Sequence, residues 1–174
     1  MKQVNMSLRR GRCRPNARNL GFTLTELAIT LTIAAGLLVI GMPSMSAMIA
    51  SQKVRGAANE LFMDLAYARN EAIKRNATVQ LVRSGANWTQ GWSLLAGGAV
   101  LKVQPQVNGI SASGASDSSI AFRGDGRATL AGSVSFNFYA SDSGLVSMRC
   151  VIVSPSGQPS VQTDRNRNGD CRDG

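Results

Sequence analysis

The chain predicts an α+β protein: one long N-terminal helix, transmembrane in its lower half and amphipathic in its upper half, packed on a small antiparallel β-sandwich. Three observations carry this expectation. Residues Phe22 to Met42 form an apolar run with a single charge, Glu26. From Val54 to Ile73 apolar side chains recur at steps of three and four, the period of a helix with one buried face. Beyond Asn76, short alternating segments are separated by Gly, Ser, Asn and Asp, as in antiparallel sheets joined by tight turns.

The 174 residues leave room for one globular domain once the N-terminal segment is set aside. The net charge of +9 belongs mostly to the start of the chain. Lys2, Arg9, Arg10, Arg12, Arg14 and Arg18 precede Gly21 with no acid among them, whereas thirteen basic residues face ten acidic ones from Phe22 onward. The chain has no histidine, which excludes histidine-based triads, HExxH zinc sites and Cys2His2 fingers. Ser156 in Ser154-Pro-Ser-Gly157 thus has no histidine base and is not a nucleophile, and the chain reads as non-enzymatic.

The first element is the basic stretch 1–21, followed by residues 22–43. Phe22 to Met42 is 21 residues, about 32 Å of helix, enough to span a bilayer. No small-residue cleavage site closes the run, and Cys13 has no apolar run before it, which argues against a lipoprotein cysteine. A plain signal anchor, with its arginines held in the cytoplasm, leaves Glu26 unexplained. An ionised carboxylate in hydrocarbon is strongly unfavourable unless it finds a partner.

The segment Gly21-Phe22-Thr23-Leu24-Thr25-Glu26-Leu27 resembles the prepilin peptidase signature of the type IV pilin-like proteins, and Pro43 stands where that family places a helix-kinking proline. The resemblance implies that residues 1–21 are a leader cut by prepilin peptidase between Gly21 and Phe22. It further implies that Phe22 is then N-methylated and that Glu26 is a paired carboxylate. The new amine at Phe22 and a carboxylate four residues on share one helix face. In a filament the amine of a neighbouring subunit can take that place, so burying Glu26 becomes an assembly signal.

The upper half of the helix, within residues 44–76, places Val54, Ala57, Ala58, Leu61, Phe62, Leu65, Ala68, Ala72 and Ile73 on one face. Glu60, Asp64, Arg69, Glu71, Lys74 and Arg75 are expected on the others. The stretch Ala57 to Asn76 resembles the GspH/FimT branch of the same family, which has an "ELxxxLxxARxEAIKRN" helix before its first strand. Trp88-Thr-Gln-Gly-Trp92 and Ser154-Pro-Ser-Gly157 resemble later landmarks of that branch. The branch comprises minor pilins of type IV pili and H-type pseudopilins of type II secretion.

The resemblance therefore implies a structural subunit that primes assembly or joins a tip complex, without a cofactor. Its partners would be major and minor pilins or pseudopilins, met through the N-terminal helix. It would sit single-pass in the inner membrane of a Gram-negative bacterium, with its C-terminal domain in the periplasm. The tip-most pseudopilin typically lacks the carboxylate found here, so Glu26 implies a place within or beneath the tip.

Residues 77–174 form the β-rich domain. Strands are expected at Thr78–Arg83, Trp92–Ala96, Val100–Val103, Ser119–Phe122, Val134–Tyr139, Met148–Val153 and Ser160–Thr163, with a mobile loop from Asn108 to Ser118. Gly124-Asp125-Gly126-Arg127 reads as a hairpin turn. Trp88 and Trp92 suit a core or strand edge better than a ligand platform.

Three readings compete in the tail. With Cys13 removed in the leader, Cys150 and Cys171 are an even pair in an exported domain, which points to a disulfide. DNA-binding minor pilins of the FimT type carry a Gly-Arg-x-Arg motif where this chain has Gly157-Gln158-Pro159-Ser160. The displaced Arg165 and Arg167, with Arg172, are the candidate DNA contacts, with Arg149 a further candidate for the same cationic patch and Asp164, Asp170 and Asp173 diluting it, set against a solvated polar tail. Asp164-x-Asn166-x-Asn168-Gly169 matches the opening of a calcium loop, but the chain ends before a twelfth-position carboxylate, and these are also ordinary turn residues.

Overall fold

The computed structural model describes residues 21–141 and 146–171, with the side chains of residues 39–44 outside that description. Most of the expected leader, residues 1–20 with Cys13, together with Arg172 and the side chain of Pro43, thus lies outside the described residues. One helix, α1 (Leu24–Arg75), is continuous through position 43. The chain divides into two compact units, Met1–Ile40 and Gly41–Gly174.

In the first unit, Leu27, Ile29, Leu31, Ile33, Leu37 and Leu38 are all exposed. Their spacing puts apolar side chains on every side of the helix, a pattern that requires cover by lipid or other helices. The threonines do not spoil it. Thr30 Oγ1 donates to the Leu27 carbonyl at 2.9 Å and Thr32 Oγ1 to the Ala28 carbonyl at 2.8 Å, so each hydroxyl is satisfied within its own helix. Among the described residues no helix is long and apolar enough to cross a membrane. The described side chains of the apolar run stop at Leu38, short of the Met42 at which the expected span ends.

In the second unit α1 buries Val54, Ala57, Ala58, Leu61, Leu65, Ala68 and Ala72, while Ile73 stays exposed at the margin. The helix ends in a Schellman arrangement. Asn76 adopts φ 48°, Ala77 N–H donates to the Ala72 carbonyl at 3.1 Å, and Asn76 N–H donates to that of Ile73 at 3.2 Å. Asparagine here takes the left-handed position usually given to glycine.

Two antiparallel sheets complete the core. The first has order β3-β2-β1-β5, with β1 Val79–Arg83, β2 Trp92–Ala96, β3 Ala99–Gln104 and β5 Ser119–Phe122. The second has order β4-β6-β7-β8, with β4 Ser111–Gly114, β6 Val134–Tyr139, β7 Arg149–Val153 and β8 Pro159–Thr163. In the first sheet Leu81 lies opposite both Leu94 and Ile120; in the second Val151 lies opposite both Phe136 and Val161. Alternation along each strand then brings Val79, Leu81, Trp92, Leu94, Ile120, Phe122, Phe136, Phe138, Val151 and Val153 into one hydrophobic core with α1.

The expected loop from Asn108 to Ser118 needs correction, because it contains β4. A Ser-Ala-Ser-Gly segment has weak intrinsic β preference and is held as an edge strand by its register on β6, Ser111 opposite Tyr139 through Gly114 opposite Phe136. Trp88 heads a short 3₁₀ turn, Trp88–Gln90. Its ring meets Phe136 edge-on at 4.9 Å and Trp92 at 6.5 Å. Both tryptophans are buried and fill the core. Between them Gly91 has φ 93°, and a Cβ there would lie 2.3 Å from the Gln104 carbonyl oxygen. The 124–127 turn forms as expected, with Gly126 N–H bonded to the Arg123 carbonyl at 2.8 Å and Asp125 Oδ1 accepting from Arg127 N–H at 3.0 Å.

Candidate functional site

Two regions hold the residues singled out by the sequence. At the N-terminal region Phe22 and Gly21 are exposed, and a Cβ at Gly21 would meet nothing within 4 Å. Glu26 has a local partner that the sequence reading misses. Its Oε2 accepts from Thr23 N–H at 3.0 Å and from Thr23 Oγ1 at 2.9 Å, while Glu26 N–H donates to Thr23 Oγ1 at 3.2 Å. This is a capping box, in which residues three apart satisfy each other's free amides at the start of a helix. The signal was present in Thr23-Leu24-Thr25-Glu26. One carboxylate oxygen takes both bonds, which leaves Oε1 for a further donor.

The C-terminal region is tied down by the Cys150–Cys171 disulfide, whose Cα atoms are 6.2 Å apart. The strand β7 presents Cys150, and the tail after β8 returns to it. Asp164 is 2 % exposed; its Oδ2 accepts from Gly169 N–H at 2.9 Å, and its Oδ1 is buried with no partner among the described residues. Asn166 Oδ1 accepts from Asn168 N–H at 3.3 Å and Asn168 Oδ1 from Asp170 N–H at 2.8 Å. The amide oxygens needed for a calcium loop are thus used in closing successive turns of the backbone. Among the described residues no cluster of three or more Asp, Glu, His or Cys could hold a metal.

Of the expected DNA contacts, Arg172 lies outside the described residues, and Arg165 and Arg167 do not line one cavity. Arg167 has φ 60°, a left-handed conformation uncommon outside glycine, and lines a cavity of about 280 Å³ with Arg55 and Arg149. Arg165 is exposed and is not among that cavity's lining residues. Burial holds the Arg149 guanidinium below its ordinary range, and the nearby Arg55 charge adds to the effect.

A polar junction beneath β2 was not expected from the helix pattern. Asp64 is 2 % exposed and accepts from Trp92 Nε1 at 2.8 Å and Lys102 Nζ at 2.6 Å. Glu71, also buried, accepts from Arg75 Nε at 2.6 Å. At the far end of the helix Arg69 Nε donates to the Gly126 carbonyl at 3.1 Å. Gly157 has φ 81°, and a Cβ there would lie 2.0 Å from that same Gly126 oxygen, so the Ser154–Gly157 turn must pack on the 124–127 turn without a side chain.

A family model described as type II transport protein GspH matches residues 57–157, the stretch from the buried face of α1 to the Ser154–Gly157 turn. Two crystal structures of the type IV minor pilin FimU from Pseudomonas aeruginosa (strain PAO1) are similar in fold. One matches with a TM-score of 0.57 and 20 % identity over 66 % of this chain and 94 % of that chain. The other, in a second crystal form, matches with 0.55 and 21 % over 64 % and 97 %. No curated protein matches the chain.

Proposed function

The chain belongs to the GspH family, and from that premise we propose that it is a minor pilin of a type IV pilus, a structural subunit that primes assembly or forms part of the tip complex. On this reading prepilin peptidase removes residues 1–21, Phe22 becomes an N-methylated N-terminus, and residues 22–43 hold the subunit in the inner membrane with its β-rich domain in the periplasm. Assembly then transfers the same apolar segment from lipid to the helices of neighbouring subunits.

The observation that carries the reading is the exposure of Leu27, Ile29, Leu31, Ile33, Leu37 and Leu38 around one helix that continues into a folded domain. A helix apolar on all sides needs either lipid or other helices around it. A pilin-type filament supplies both in turn. Glu26 supplies the register: Oε1 is open to the amine of a neighbouring Phe22 while Thr23 holds Oε2.

A second reading, an H-type pseudopilin of type II secretion, is favoured by the description of the matching family model, as the fold of FimU favours the pilus. Deletion of the gene separates them. The pilus reading predicts loss of surface pili with exoprotein secretion unchanged, whereas the pseudopilin reading predicts the reverse. Normal piliation and normal secretion together would count against both.

A further inference from the structure

We propose that the cavity between α1, β7 and the tail is a binding site for a phosphate group, held by Arg55, Arg149 and Arg167. This site stands apart from the filament reading and uses none of the residues assigned to it. The cavity, about 280 Å³, is also lined by Ser51, Ser147 and Thr163, whose hydroxyls can donate to an oxyanion. No carboxylate lines it, and no ion pair among the described residues includes any of the three arginines.

The placement of Arg149 is what makes this a site. Alternation along β7 puts Arg149 on the same side as Val151 and Val153, both fully buried in the core. Arg149 is therefore a cation at a core-facing position, opposite Phe138 on one side and Thr163 on the other. Arg55 enters from α1, one residue after the buried Val54, and its charge opposes that of Arg149. A partly desolvated Arg149 beside the exposed Arg55, with no ion-pair partner among the described residues, is unfavourable, and an anion between the two relieves both the burial and the repulsion.

Arg167 adds a third guanidinium from a left-handed backbone conformation, φ 60°, uncommon outside glycine. Guanidinium groups bind phosphate oxygens through paired N–H donors, and three of them can surround a tetrahedral anion. A cavity of this size admits such a group, either as a free ion or as one phosphate of a larger molecule.

The test uses the full chain in detergent micelles, followed by thermal unfolding against sodium phosphate at constant ionic strength. The wild type should show a saturable rise in unfolding temperature. Arg149→Gln and the surface variant Arg167→Gln should each weaken the half-saturating concentration about tenfold, as loss of one charge-assisted hydrogen bond would, while Arg165→Gln responds like the wild type. A response to inorganic phosphate alone identifies a free ion. An additional, Arg149-dependent shift with a short duplex oligonucleotide identifies a phosphodiester. Equal responses in all four proteins, or none in the wild type, overturn the proposal.

Discussion

The Trp92 indole donates to Asp64 at 2.8 Å, and this bond joins the buried face of α1 to the centre of the first sheet. Asp64 falls on the stripe formed by Leu61, Leu65 and Ala68, and Lys102 from β3 donates to its other oxygen at 2.6 Å. One carboxylate thus fixes how helix and sheet dock. Asp64→Ala leaves a buried indole N–H and a half-buried ammonium unpaired, which should cost about 2 to 3 kcal/mol in unfolding free energy. Urea unfolding of the full chain in detergent, followed by tryptophan emission, measures it. Asp64→Asn should lose less, because its carbonyl still accepts the indole proton.

Gly157 combines a positive φ with a carbonyl where a side chain would be. Gly157→Ala should therefore destabilise the domain by at least roughly 1 to 3 kcal/mol from backbone conformation alone, with the displaced Gly126 turn adding to it. The same urea titration checks this, and Gly132→Ala, where a Cβ meets nothing within 4 Å, serves as the neutral comparison.

The Cys150–Cys171 bridge closes a loop of sequence separation 21, and its removal should lower stability by about 3 kcal/mol through the unfolded chain. Cys150→Ser combined with Cys171→Ser should shift the urea midpoint accordingly. Alkylation of the unreduced full-length chain should label Cys13 alone, as read by intact mass.

The Arg75 hydrogen bond holds the Glu71 carboxyl below the ordinary glutamate range, against an opposing push from burial, with Lys74 adding its attraction. A depressed carboxyl binds fewer protons folded than unfolded, so stability rises with pH through this window. The contribution is present above the ordinary glutamate range and is lost as pH falls through the folded value. Glu71→Gln should remove this part of the acid dependence, seen as a shallower loss of unfolding temperature between neutral and acidic buffers.

All seven expected strands are present, legible because several alternate clearly enough to mark a buried face, while an eighth strand was not expected. That strand, β4, consists of residues such as Ser111 and Ser113 that carry no such signal and depend on β6 for their pairing. The apolar stripe of α1 was legible for the same reason, whereas Asp64 and Glu71 were read as outward charges. Their burial depends on Trp92 and Arg75, and helical periodicity does not reveal a donor 28 residues away. Arg149 was read only as a candidate member of a cationic patch in the tail. Its core-facing register becomes visible only with the pairing of β6, β7 and β8, and Arg55 joins it from a helix nearly a hundred residues earlier in the chain. The capping box at Thr23 and Glu26 was missed although its signature stands in Thr23-Leu24-Thr25-Glu26, because Glu26 was read only for a partner's amine, and a single residue there can serve both.

That double role makes Glu26→Gln the most direct test of the filament account. Glutamine preserves the capping box but removes the charge that would pair with a Phe22 amine. Incorporation is measured as the amount of this subunit in sheared surface filaments relative to the amount in the inner membrane. The account predicts that Glu26→Gln and Glu26→Ala both remain in the membrane and both fall out of the filament. Wild-type incorporation of Glu26→Gln would show that Glu26 serves only to cap its own helix, and would contradict charge pairing as the assembly signal.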